Sequence, residues 1–528
     1  MQKFTFDRRI TGFFSEQQNK LAYNQEELLS FLNLSCSKNN FLKQIQLKEN
    51  NYSTQQRKKL CEFLDLRYTN VSKSDKVNQN LEHLNLSNTF TITTGHQLNI
   101  FSGPIYVIYK ILHVVKLCEQ LRDEHADYNF VPVLWLASED HDFEEISAVE
   151  IFNKFLQWDT DQSGAVGKFS TDGLEALRNE ITDFYSKVGS NQIENVLAAY
   201  KGETLAEAHF NLMHELFNQF GLIIIDADDS KLKKQFVPYI SKEISERFSF
   251  HAVKQTNESL LKEGFNIQVN PRELNLFYLS EGKRTRIVPT KDFYNIEGIG
   301  VFSELELINE MSDFPEKFSP NVILRPLYQE VLLPNLCYVG GVGELSYWIQ
   351  LKRIFDQANI VYPLVQVRNS ILWINKTISS KMHKSGLVLE DLFTDISQVK
   401  LQYLKLAAAD ELDFSEVDSI FANLIDVFKQ KSDLQDANTK KNTDAELQKI
   451  ANQFEVLKRK LVKSVKQKHD NALTNIESVF DKLFPNGGLQ ERIISIFSIC
   501  QDGDVIERIN QLYSFIEPFD PDFIIIRE

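Results

Sequence analysis

Two apolar runs separated by one long helical stretch constrain this chain more than any other feature. "FTITT" (90–94) is β-branched and ends at Gly95, "SGPIYVIYKILHVVKLCEQL" follows with helical periodicity, and "NFVPVLWLA" is apolar again. Strand, helix and strand in that order read as a βαβ crossover, and strands without polar alternation need cover on both faces, as in a parallel sheet. Ser102 is placed to cap the helix, and Pro104 to sit in its first turn, where a missing N–H costs nothing. "FGLIIIDADD" supplies a third such strand; "LCYVGGVGELSYWIQLKRIF" and "NIVYPLV" supply two more around a glycine turn and a helix. The expected class is α/β, with a doubly wound parallel-sheet core.

Two insertions interrupt that pattern. Residues from about 150 to 220 are mainly helical, and those from about 255 to 320 include a stretch (265–303) that alternates apolar and polar residues around a turn at Glu281-Gly282, predicting a small antiparallel sheet. Polar, Pro-free text at 20–85 predicts helices that cover the core. From about 378 the character changes. Leu447, Ile450, Phe454, Leu457 and Leu461 step by three and four, as do Val417, Ile420, Leu424 and Val427, with polar "KSDLQDANTKKNTD" between them. This predicts two antiparallel arms of a coiled coil. The expected organisation is a core over 1–377, a helical coiled coil over 378–480, and a tail over 481–528 that docks back on the core.

Composition removes several classes of function. A net charge of −15, from 58 Lys and Arg against 73 Asp and Glu, with no basic block, disfavours nucleic acid or an anionic membrane as partner. The opening "MQKFTFDRRITGFF" has no continuous apolar segment, and no apolar run reaches the ~18 residues of a membrane span, so a cytoplasmic protein is expected. Five cysteines without CxxC pairing predict reduced, mostly buried thiols, and without HExxH or paired histidines no dedicated metal site is expected.

The chemistry-bearing residues cluster where strands end. "TTGHQ" (93–97) matches the T-x-G-H variant of the signature in nucleotidylyltransferases and class I synthetases, which makes Gly95, His96 and Gln97 candidates for meeting phosphates. On the next helix Tyr106, Lys110 and His113 share one face of an otherwise apolar segment, and Lys110 can serve a carboxylate or phosphate. "GGVGELS" (340–346) is either a plain tight turn or a Gly-rich turn presenting N–H groups to an anion, with Gly341, Gly343 and Glu344 as candidates. "GAVGK" (164–168) is no Walker loop, which needs four residues between its glycines and a Ser or Thr after the Lys.

"VPVLWLASEDHDFEEI" (131–146) ends a buried strand in five acids and a histidine. Asp142 with Glu145 can start a helix by capping, which leaves Glu139, Asp140 and His141 as charge that capping does not require. Ligands of open α/β sheets bind beyond the carboxyl ends of strands, where these acids would hold an ammonium group or hydrated Mg²⁺.

Taken together, "TGHQLNIFSGPIYVIYK", "VPVLWLASEDHDFEEI", "GAVGKF", "RELNLFYL", "FSPNVILRPLYQEVLLPNLCYVGGVGELSYW" and "LFPNGGLQER" resemble the bacillithiol-biosynthesis cysteine ligase family, in order from about residue 90 to the end. The resemblance implies a Rossmann-like core interrupted by two connecting insertions, a coiled-coil domain that supports a homodimer, and a ligase that joins the carboxyl group of L-cysteine to the amine of glucosaminyl-malate. Family members often read T-G-Q-Q where this chain has Thr94-Gly95-His96-Gln97, which moves weight from His96 to Gln97 and the Gly95 backbone. Amide formation from a free carboxylate is uphill, so ATP, with Mg²⁺ as its companion, is the inferred activator. Lys110, Arg284 and Arg325 would hold phosphates or malate carboxylates, and a carboxylate or His141 would take the proton. Two other readings stay open at this stage: a metal-dependent hydrolase built on Asp140-His141-Asp142, and a non-catalytic dimeric binding protein of a thiol pathway.

Overall fold

The structure is a computed structural model that describes residues 1–152, 154–187 and 193–528. Contacts divide the chain into two units: Lys3–Trp373 with Leu489–Ile526, and Ile374–Gly488 with the extreme terminal residues Met1–Gln2 and Arg527–Glu528.

Ten strands of the larger unit matter here: β1 (Thr89–His96), β2 (Asn129–Leu136), β3 (Ile223–Asp226), β4 (Leu276–Ser280), β5 (Lys283–Pro289), β6 (Tyr294–Ile296), β7 (Gly300–Phe302), β8 (Phe318–Pro320), β9 (Asn335–Gly340) and β10 (Leu364–Val367). Five of them form a wholly parallel sheet in the order β10-β9-β1-β2-β3. The chain runs outward from β1 to β3, then returns to the other side of β1 with β9. The strand order therefore reverses between β1 and β9, and a crevice opens there at their carboxyl ends. Every residue from Thr89 to Gly95 is buried, which is why this strand shows no alternation. Each large aliphatic side chain buried in this way contributes about 1.5–3 kcal/mol.

The helices that frame the crevice are α1 (Tyr106–Glu124), α2 (Phe143–Ile146), α3 (Ser230–Glu246), α4 (Arg325–Leu332) and α5 (Val342–Trp348). The start of α1 differs from the sequence expectation. Ser102 does not cap it: Phe101, Ser102 and Gly103 all have left-handed φ (47°, 69° and 63°), which makes a sharp corner ahead of Pro104. The Ser102 hydroxyl is buried and bonds none of the helix's first N–H groups. Ile105 takes the cap position, and its own N–H donates to the Ile494 carbonyl at 2.7 Å.

The second insertion is a five-stranded antiparallel sheet in the order β7-β6-β5-β4-β8, whose β4–β5 hairpin turns at Glu281-Gly282. In the smaller unit, α6 (Ser415–Ser432) and α7 (Ala437–Lys468) form a helical hairpin. Asp418 pairs with Lys458 at 2.7 Å and Phe421 stacks on Phe454 at 4.0 Å, so the arms run antiparallel. Only part of the expected seam is covered within the chain. Leu447 is buried, but Val417, Ile420, Leu424, Val427, Ile450, Leu457 and Leu461 are 47–64 % exposed.

Candidate active site

A cavity of about 1060 Å³ lies over the carboxyl ends of the parallel strands, with the β4–β5 hairpin as its opposite wall. Its floor is the β1–β9 crevice, where "TTGHQ" and "GGVGE" meet. The Lys110 ammonium, on α1, donates to the Gly95 carbonyl at 2.7 Å and to Glu344 Oε2 at 2.7 Å. Tyr338 donates its O–H to the other Glu344 oxygen. Arg325, at the start of α4, approaches Gly95 so closely that an added Cβ there would lie 3.5 Å from Nη1 and 3.1 Å from the Tyr338 hydroxyl. The Arg325 hydrogen bonds to Gln329 and Tyr347 are both long, at 3.4 Å, so its guanidinium is held in place with bonding capacity left for an anion. Burial lowers the Lys110 pKa. Burial would raise that of Glu344, but the Lys110 charge and hydrogen bond, the Tyr338 hydroxyl and the Arg325 charge together outweigh it and hold the carboxyl below its usual range.

His96 sits at the same strand end. Its Nδ1 faces the Gln97 carbonyl at 3.1 Å and its Nε2 the Tyr106 hydroxyl at 2.8 Å, so both ring nitrogens are engaged. Burial, helped by the Lys110 charge, lowers its pKa to about 3, and the ring is neutral at ordinary pH.

The acidic loop after β2 splits into parts with different partners. The Glu139 carboxylate is already paired with an internal ammonium, that of Lys233 on α3, whose side chain is 2 % exposed and also bonds Asp228 at 2.9 Å. The expected amine anchor is therefore occupied at Glu139. Asp140 takes Arg284 at 3.6 Å, the His141 N–H at 2.8 Å and the Gln97 amide at 3.2 Å. Burial alone would raise the Asp140 pKa, but Arg284 and these two donors bring it below the usual carboxylate range. Gln97 also donates to Glu145 Oε2 at 2.6 Å and so bridges the two acids.

Gly95, His96, Gln97, Tyr106, Lys110, Glu139, Asp140, Arg284, Arg325, Gly341, Gly343 and Glu344 all line this one cavity. His141 and Asp142 lie outside its lining. The His141 ring packs at a tilt against Phe277, centroids 5.6 Å apart, with Nδ1 against Arg284 at 3.1 Å, and Asp142 caps α2 by accepting from the Glu145 N–H at 3.4 Å. Residues that the sequence did not single out complete the walls. Glu145 faces the cavity instead of closing a capping box, and Arg272, Arg286, Arg368 and Arg492 line it as well. Arg368 lies over the Tyr106 ring at 5.1 Å and is held by Glu491 at 2.8 Å. No local motif marks these arginines, since they come from the loop before β4, a hairpin strand, a strand end and a C-terminal segment remote in sequence. Among the described residues no group of three or more His, Cys, Asp or Glu is arranged to hold a metal ion, and no helix is long and apolar enough to cross a membrane.

Two family models match the chain. Residues 8–369 match "Bacillithiol biosynthesis BshC, N-terminal Rossmann-like domain", and residues 371–528 match the C-terminal coiled-coil domain of the same family. A relative from Flavobacterium johnsoniae named "Putative cysteine ligase BshC" is 39 % identical over 492 residues, covering 92 % of each chain. One of the same name from Flavobacterium psychrophilum is 37 % identical over 527 residues, covering 98 % of each. A solved tryptophanyl-tRNA synthetase from Plasmodium falciparum aligns over 92 % of this chain and 99 % of its own at 11 % identity, with a TM-score of 0.24, too low a likeness to carry an argument. Matched across both domains and nearly end to end by its relatives, the chain belongs to the BshC family of bacillithiol biosynthesis.

Proposed function

We propose that this protein is a carbon–nitrogen ligase that joins the carboxyl group of L-cysteine to the free amine of glucosaminyl-malate, the last step of bacillithiol formation. The observation that carries this reading is the polarity of one cavity. Asp140 and Glu145, bridged by Gln97, form an ammonium-accepting wall, and Lys110, Arg284, Arg325 and Arg368 line anion-accepting walls around it. Both substrates combine an amine with carboxylates, and a cavity of about 1060 Å³ has room for the two together.

The low pKa direction of Asp140 suits a fixed negative anchor for a substrate ammonium. Glu145, exposed at the mouth with its carboxylate held by Gln97, is the better acceptor for the proton released when the amine attacks. Lys110 and Arg325, at the floor of the crevice, hold the cysteine carboxylate during its activation, and Arg284 with Arg286 on the hairpin takes the malate carboxylates. ATP supplies the activation, leaving AMP or ADP. Asp140 and Glu145 are two carboxylates rather than a preset cluster, which fits Mg²⁺ arriving with the nucleotide and keeping most of its waters.

The exposed half of the coiled-coil seam fits a second copy of the chain, so the proposed assembly is a homodimer paired through α6 and α7. The direct test is incubation of purified protein with cysteine, glucosaminyl-malate and ATP, with mass spectrometry for the condensed thiol and for AMP or ADP. Absence of condensed product from a folded sample rejects the ligase reading; AMP identifies an acyl-adenylate and ADP an acyl-phosphate.

A further inference from the structure

The segment "SGAVGK" (163–168) has the look of a phosphate loop without its spacing, and the cavity chemistry does not use it. Its contacts give it another task. On one side it grips the acidic loop: the Val166 N–H donates to the Asp140 carbonyl at 2.7 Å, and the Gly167 N–H to the Ser138 carbonyl at 2.8 Å. On the other it grips the hairpin turn, where the Ser163 hydroxyl donates to the Gly282 carbonyl at 2.8 Å.

Both glycines are needed for these approaches. A Cβ on Gly167 would lie 2.5 Å from the Ser138 Cβ, and one on Gly164 would lie 2.8 Å from the Gly282 carbonyl carbon and 2.9 Å from the Lys283 nitrogen. The latter are backbone atoms that cannot step aside, and Gly164 also has a left-handed φ of 99°. Two residues past Gly282, Arg284 reaches back to Asp140 at 3.6 Å. The contacts therefore close a ring: Asp140 main chain, strap, hairpin turn, Arg284, Asp140 side chain.

We propose that Ser163–Lys168 is a positioning strap that sets the spacing between Asp140 and Arg284, and with it the distance between the ammonium anchor and the anion clamp across the mouth of the cavity. The proposal rests on the roles given to those two side chains in the ligase reading. Gly164, Gly167 and Ser163 are positioning residues that act through Asp140 and Arg284 and touch no substrate.

The test compares Gly164→Ala and Ser163→Ala with Gly386→Ala. Gly386, in the coiled-coil unit, has a φ of 65° and no atom within 4 Å of an added Cβ, so it reports the strain of a left-handed alanine alone. The expected result for Gly164→Ala is a loss of kcat/KM on the order of tenfold to a hundredfold, mostly in the KM of the amine substrate, since a misplacement of about 1 Å can cost that much. The acid limb of its pH profile should also move upward, because a more distant Arg284 depresses the Asp140 carboxyl less. Ser163→Ala, which removes one hydrogen bond and no backbone fit, should show the same signs at smaller size and serves if Gly164→Ala does not fold. Gly386→Ala should lose Tm without a change in KM or pH profile. A Gly164→Ala or Ser163→Ala protein that keeps KM and pH profile while losing Tm like the control overturns the strap. Wild-type turnover in Asp140→Asn and Arg284→Ala would overturn the ligase roles of those side chains instead, a different failure read from different variants.

Discussion

The Lys110–Glu344 pair offers the sharpest quantitative test of the cavity floor. Glu344→Gln keeps the shape and removes the charge that faces an ammonium whose side chain is 4 % exposed. Breaking a buried pair from one side costs about 3–5 kcal/mol. Because the Glu344 side chain is itself 20 % exposed, the lower end, about 3 kcal/mol, is expected. The pH dependence follows from the direction of the Lys110 shift. Its folded pKa already lies below the unfolded value through burial, so the unfolded chain binds more protons between the two values and stability rises with pH across that window. Removing Glu344 lowers the folded pKa further and widens the window. The deficit of the variant against the parent should therefore shrink as pH rises from neutrality toward the pKa of free lysine, about 10.4. Urea unfolding at several pH values measures it, alongside product formation, which should lose its alkaline side because an uncharged Lys110 cannot hold an anion. A deficit under about 1 kcal/mol with the parent's pH dependence would show that Glu344 does not sustain the Lys110 charge.

Further outcomes follow from the same structure. Asp140→Asn should abolish condensation in the mass-spectrometric assay. Asp142→Asn should leave it nearly intact at a cost of no more than about 1 kcal/mol, because Asn caps helices as well as Asp. Three histidines, His113 and His209 buried and His96 half-buried, make the fold acid-sensitive: loss of solvent takes His96 to about 3 and His113 and His209 to about 4. Each stays neutral in the fold while the unfolded chain protonates below about 6.5, so stability falls with pH through that value by about 2 kcal/mol per histidine at pH 5. His113→Gln should reduce the slope of unfolding free energy against pH by one proton, and an unchanged slope would contradict the assignment. Ile420→Glu with Leu457→Glu, on the exposed seam, should convert a dimer to a monomer in sedimentation equilibrium; an unshifted mass would place the dimer contact elsewhere.

Much of the architecture was legible because burial writes itself into composition. β1 and β2 read as parallel strands since both faces are covered, and α1 read as a helix from its periodicity. The corner at Phe101–Gly103 was not legible, because Ser at the start of a helix looks like a cap and nothing local reveals a left-handed backbone. The coiled-coil seam was visible as a period of three and four, but whether it is covered within the chain or by another depends on how the arms pair.

At the cavity, the glycine turns and the acids at strand ends were found because a doubly wound sheet sends them to one edge, whatever lies between. Which partner each acid takes was hidden. Glu139 and Asp140 are neighbours of like charge, yet one is bound to Lys233, 94 positions away in sequence by their numbers, and the other to Arg284. The sequence by itself determined the strands, the crossover and the chemistry available at the strand ends, since these depend on local periodicity and residue type. Only the tertiary structure decided which carboxylate is spent on an internal ammonium, which arginines face the cavity and what the glycine strap holds, because a charge is neutralised by whatever lies within a few ångströms of it, and the chain order does not record that distance.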